Sequence, residues 1–189
     1  MLILLDIDGV MVPAKSWTVP EILEDNFAAF NSRATQALQK IISETNAIIV
    51  LTTSHKSNHT LSEWQNIFIT RGIDVKNIER LPDNKANLSR KEEILNWYKF
   101  NISQEHFVII DDDKSLNELP NFLKQKLVLT SPLIGLTNYL ATEAISILER
   151  EEEEEQELRK GIQKLVSDNK SFDFINYEEN LYTLSNLKR

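Results

Sequence analysis

Four short apolar runs recur along the chain, at Leu2–Leu5, Ala47–Leu51, Phe107–Ile110 and Lys126–Leu129, with a weaker one around Val75–Leu81. Each has strand length, and the stronger runs are continuous rather than alternating, as in strands buried on both faces. Helical spacing lies between them. Ala34, Leu38, Ile41 and Ile42 form one stripe; Leu61, Trp64, Ile67 and Phe68 form a second, with Gly72 as its C-terminal cap. Ser89 and Glu92 make a capping box ahead of Ile94, Leu95 and Tyr98. Strand and helix therefore alternate. This predicts an α/β domain of three layers, with a parallel sheet of about five strands between helices. In such sheets ligands bind at the carboxyl ends of the strands.

The polar residues at those ends are of few kinds. Asp6 and Asp8 follow the first run ("LLDIDGV"), Thr52, Thr53 and Ser54 the second ("IIVLTTSHK"), and Asp111, Asp112 and Asp113 the run at 107–110 ("FVIIDDDKS"). Arg90 and Lys91 open the helix before that last strand. Two carboxylates on one strand end repel each other unless a positive charge lies between them. Singly, each residue has an ordinary structural explanation as a turn former, a helix cap or a surface cation. Brought together at one sheet edge they form a carboxylate cluster, a hydroxyl and a cation. Hard oxygen donors without Cys or His imply a Mg²⁺ site.

Composition narrows the setting. The 189 residues, 41% hydrophobic, suffice for one domain with an appended arm. With no cysteine, disulfides and thiolate-bound zinc are excluded, which suits a reducing compartment. The acidic start does not read as a signal peptide and no run approaches membrane-spanning length, so a cytoplasmic protein is expected. A net charge of −8 argues against a sequence-indifferent nucleic-acid binder, yet leaves room for an enzyme acting on a nucleic-acid end through one local basic site. From Glu149 onward there are 11 acidic and 7 basic residues, about half the net charge.

The ordered set resembles the haloacid dehalogenase (HAD) superfamily, whose phosphatases carry a D-x-D signature, a Thr or Ser, a Lys or Arg, and a terminal acidic pair. "DIDGV", "IIVLTTS" and "VIIDDD" match the first, second and fourth motifs. Within the superfamily the chain is most similar to the HAD domain of Swiss-army-knife RNA repair proteins, through "TSHK", "RKEEI" (Arg90 to Ile94) and "GLT" (Gly135 to Thr137), although His55 and Lys56 replace an aromatic residue and an arginine. The resemblance covers residues 1–148 and implies a Rossmannoid HAD-like fold, a minimal cap and a phosphatase acting through an aspartyl-phosphate. Asp6 is then the nucleophile and Asp8 the general acid and base. Mg²⁺ is held by Asp6, the Asp8 carbonyl, Asp111 and Asp112, directly or through water. Thr52 and the backbone near Gly9 hold phosphoryl oxygens, with Thr53 and Lys56 as further substrate contacts. Arg90 or Lys91 neutralises the transferring group: the family-like spacing to Glu93 and Ile94 favours Arg90, while the distance to the acidic pair suits either, and Lys85 in a loop is a third candidate. A receiver domain gathers similar groups in another chain order and is set aside. A non-catalytic HAD-like binding module is the alternative.

His55 and His59 stand four apart, as zinc ligands can, but without the intervening glutamate of a zinc protease. A helix start beside the active site is expected there instead. The short segment after Asp8 holds Trp17 and Phe27, which either stack on a base or pack the segment onto the domain. An uncapped site would admit a phosphorylated RNA or DNA terminus, or a nucleotide. Residues 149–189 read as a charged helical arm followed by an aromatic segment ("SFDFINYEENLYTL"), with a homodimer as the simplest use for its apolar surface.

Overall fold

A computed structural model describes residues 1–14, 20–101 and 106–150, all within the unit Met1–Glu151. Trp17, the aromatic segment and the dimer expected through the arm fall outside the described residues.

The strands are β1 (Leu2–Leu5), β2 (Ile48–Leu51), β3 (Ile78–Arg80), β4 (Phe107–Asp111) and β5 (Leu127–Leu129), in one sheet of order β3-β2-β1-β4-β5. Every neighbouring pair is parallel. Between them lie α1 (Ser32–Thr45), α2 (Leu61–Thr70), α3 (Arg90–Phe100) and the short α4 (Asn121–Lys124), and residues 138–150 form a further helix, α5. The boundary drawn between 148 and 149 thus lies inside a helix that runs on through Arg150.

Side-chain alternation along the strands separates two cores, one on each face. Ile3, Leu5, Ile49, Leu51, Val108 and Ile110 pack with α1, α2 and α5, whereas Leu2, Leu4, Val50, Phe107 and Ile109 pack with Ile94 of α3 and Leu116, Leu119 and Leu123. A continuous apolar run is what a strand covered on both faces requires. The stripe of α1 is buried at all four positions. In α2 Trp64, Ile67 and Phe68 are buried, but Leu61, expected with them, is 44% exposed, because the stripe enters the core only one turn later. Both α2 and α3 begin in capping boxes, Thr60 with Glu63 and Ser89 with Glu92. Gly72, at φ +81°, follows α2 in the left-handed conformation its C-terminus needs.

The segment between β1 and α1 holds no helix or strand among its described residues. Arg71, at the end of α2, clamps it. Its guanidinium, 3% exposed, donates to Asp25 Oδ2 (2.5 Å), Asp25 Oδ1 (2.9 Å) and the carbonyls of Phe27 and Ala28. Phe27 is buried, edge-on against Trp64, His55 and His59. It packs the segment onto the domain, which answers the choice left open for it. The two histidines close on an aromatic ring, and among the described residues they join no metal-binding group.

Candidate active site

The topology brings three motifs to one edge. The chain runs outward from β1 through β2 to β3, then returns to the other side of β1 for β4 and β5, so the direction reverses beside β1. Leu5 pairs with Leu51 and with Ile110, which sets the residues after them side by side. The Asp6 amide donates to Ile110 O (3.0 Å) and the Thr52 amide to Leu5 O (2.9 Å). Asp6, Thr52 and Asp111 are buried there, at 5%, 0% and 1% exposure.

Arg90, the first residue of α3, supplies the cation. Its Nη2 donates to Asp6 Oδ1 (2.8 Å), its Nε lies 3.1 Å from Asp111 Oδ2, and its Nη1 donates to the Thr52 carbonyl and reaches Glu93 Oε2 (3.4 Å). Ser89 caps the helix and so fixes where α3 starts, which aims Arg90 at the carboxylates. Lys91 is not brought there: its Nζ pairs with Glu118 at the surface (2.9 Å). Residues 90 and 91 are about 100° apart around a helix, so both cannot face the cluster. Between these two adjacent cations the fold selects Arg90.

Oxygen atoms of Asp6, Asp111 and Asp112 lie within 4.8 Å of one another. One guanidinium does not balance three carboxylates in a buried place. Burial, then the Asp111 charge, push Asp6 up to about 8 against the pull of Arg90. Burial likewise raises Asp111 to about 6, although Arg90 and the Asp113 amide on its Oδ1 (2.9 Å) oppose this. Asp112 is also raised, chiefly by burial. Asp111 Oδ2 is buried and, despite the nearby Nε, accepts no hydrogen bond. An orphaned buried oxygen in a cluster of hard donors fits a divalent cation.

Thr52 Oγ1 is the second orphan: buried, and without a hydrogen-bond partner. Asp8 stands apart. Its carboxylate is 57% exposed, outside the triad, and its Oδ2 lies 3.0 Å from His55 Nε2. Gly9, at φ +72°, is required twice over, because a Cβ there would lie 2.1 Å from Asp112 Oδ2. Thr53 is buried and caps the 3₁₀ turn Ser54–Ser57, accepting from the His55 amide (3.3 Å), so it serves the turn. Lys56, expected at the substrate, is turned inward instead. It is 3% exposed and pairs with Glu93 Oε1 (2.9 Å), since a buried ammonium needs a carboxylate beside it.

Two participants, Glu93 and Thr130, escaped the sequence reading, and His55, expected beside the active site, has a partner there that the spacing did not show. Glu93 joins Lys56 to Arg90. His55 meets Asp8. Thr130, directly after β5, donates its hydroxyl to the Gly9 carbonyl (2.8 Å) and holds the loop after β1. Thr130 was open to the rule that found the others, being a hydroxyl at a strand's carboxyl end. Gly135, of the "GLT" motif, passes so close to this loop that a Cβ would lie 2.4 Å from Val10 O.

The domain family described as "HAD domain in Swiss Army Knife RNA repair proteins" matches residues 2–141. The chain belongs to this family. For this HAD domain, membership points to phosphatase-type chemistry, and the acidic cluster at the sheet edge is where it would occur. Among curated proteins and among solved structures, no relative matches this HAD domain significantly. Among the described residues no helix is long and apolar enough to cross a membrane.

Proposed function

We propose that the chain is a Mg²⁺-dependent phosphatase that releases the phosphate monoester of a nucleic-acid end or a nucleotide through an aspartyl-phosphate on Asp6. The observation that carries this is the pairing of a buried nucleophile, Asp6, with Arg90 at 2.8 Å, beside a threonine hydroxyl left without a partner.

A phosphate ester repels nucleophiles by its own charge, so the site has to neutralise that charge and place the attacker in line. Arg90 supplies part of the neutralisation and, held by Glu93, keeps its position. Thr52 Oγ1 donates to a phosphoryl oxygen and gains the partner it lacks. Asp6, Asp111, Asp112 and the Asp8 carbonyl would hold Mg²⁺, which would supply the remaining positive charge at the phosphoryl group. An Asp6 oxygen attacks phosphorus and the ester P–O bond breaks. Asp8 protonates the departing oxygen, then takes a proton from the water that attacks phosphorus, releasing phosphate and restoring Asp6. His55, 3.0 Å from Asp8, holds that carboxyl beside the path.

The test is hydrolysis of an aryl phosphate and of 3′-phosphorylated oligonucleotides, mononucleotides and phosphopeptides. Asp6→Asn is expected to abolish turnover, EDTA to silence the unmodified protein and Mg²⁺ to restore it. Wild-type turnover by Asp6→Asn would refute the nucleophile, and strong preference for a small sugar phosphate would refute the substrate class.

A further inference from the structure

We propose that a hollow between the loop 81–89 and α3 binds a purine base, that of the nucleotide whose phosphate meets Asp6; this rests on the nucleotide or nucleic-acid reading above. The hollow has a volume of about 430 Å³, within the range of small-molecule sites. Leu81 and Leu88 line it together with Glu93, Asn96, Trp97 and Phe100 of α3. These four helix residues are spaced i, i+3, i+4 and i+7, so they share one face.

Three residues of the α3 wall match features of a base. The Trp97 ring is half-buried and held edge-to-face by Phe107 at 5.0 Å between centroids, a fixed surface on which a flat ligand can stack. Phe100 is 89% exposed, a cost in water that a stacked ring would remove. The amide of Asn84 is consumed by both backbone groups of Leu88, and Asn101 donates to the Trp97 carbonyl. The side-chain amide of Asn96, half-buried beside Trp97, makes no hydrogen bond within the described protein. A free amide that donates and accepts is the complement of adenine's N6 and N7.

Charge and position restrict the occupant further. On the α3 side the carboxylate is Glu93, whose two oxygens already face Lys56 and Arg90, while the loop side carries Asp83, which accepts from Ser57 Oγ, and Lys85. The α3 side, with Glu93 neutralised between two cations, suits a neutral planar group, and the charged side chains of the hollow stand on the opposite, loop side. Glu93 also ties the hollow to the catalytic edge. Trp97 lies seven residues beyond Arg90 on α3, about 10 Å along the axis. Phosphate at Arg90 and base at Trp97 then occupy successive turns of one helix.

The test is calorimetric titration of the full-length protein in EDTA with adenosine, uridine and ribose. Binding is read without turnover, so it is decided independently of catalysis. Adenosine is expected to bind, uridine more weakly and ribose not at all. Because Trp97 also packs on Phe107, the exposed Phe100 and the uncommitted Asn96 carry the mutational arm. Phe100→Ala and Asn96→Ala should each weaken adenosine by about ten-fold, the scale of one lost stacking or base-edge contact. Failure of the wild-type protein to bind adenosine, or equal binding by both variants, overturns the base site. Adenosine binding in a protein that hydrolyses no phosphate ester would instead overturn the proposed reaction and leave the base site standing.

Discussion

Replacing Asp6 by asparagine should stabilise the metal-free protein, and increasingly so as pH rises. Asp6 is buried beside Asp111, and its carboxyl is raised from 3.8 to about 8. Between those values the folded protein holds a proton that the unfolded chain has lost, so stability falls as pH rises, by about 1.4 kcal/mol per unit. From pH 5 to pH 8 that amounts to about 4 kcal/mol, or roughly 10 °C in Tm for a domain of this size. Asparagine has no proton to lose and does not repel Asp111. Thermal unfolding in EDTA at pH 5, 6.5 and 8 should therefore show the Tm of Asp6→Asn pulling away above wild type as pH rises. Added Mg²⁺ should raise the wild type at pH 8 and close the gap, because a bound cation stabilises the ionised carboxylates. A difference that is flat with pH, or a wild type more stable than the variant at pH 8 without metal, would refute the account of Asp6 as a strained, cation-seeking carboxylate.

Arg90→Met should lower turnover by at least about 10²-fold, as loss of a preorganised charge contact does, whereas Lys91→Met should leave it unchanged, since Lys91 meets only Glu118; equal losses in steady-state assays would reject the choice between them. Asp25→Ala leaves the buried Arg71 without its carboxylate and should cost about 2–3 kcal/mol in denaturant unfolding. The Arg71 hydrogen bond is the chief cause holding Asp25 below its ordinary 3.8; the pair's contribution is therefore full above that value and lost as pH falls through the lower folded one. The difference between Asp25→Ala and wild type should thus narrow in acid, and a constant difference down to pH 2 would exclude the ion pair as its source. Gly9→Ala combines a left-handed backbone, about 1–2 kcal/mol for a residue with a Cβ, with a Cβ 2.1 Å from Asp112 Oδ2; it should weaken Mg²⁺ binding in a thermal-shift titration, and undiminished affinity would show that Asp112 is not a ligand.

The sheet and its functional edge were legible in the chain because burial on both faces writes itself as continuous apolar runs, and a parallel sheet obliges every strand to end on one side. That places Asp6, Thr52 and Asp111 in one locality from the sequence alone, and Ser89 and Glu92 mark where α3 begins. Side-chain direction was not legible. Arg90 and Lys91 are adjacent and chemically alike, and only the docking of α3 on the sheet turns one toward Asp6 and the other toward Glu118. Lys56 reads as a surface cation until the fold buries it against Glu93, 37 residues away. Asp8 shares a motif with Asp6, yet one is buried and the other largely open to solvent. Local pattern records which residues must be inside and where elements start. Pairings between distant residues depend on how the elements pack, and they decide which of several similar charges reaches the site.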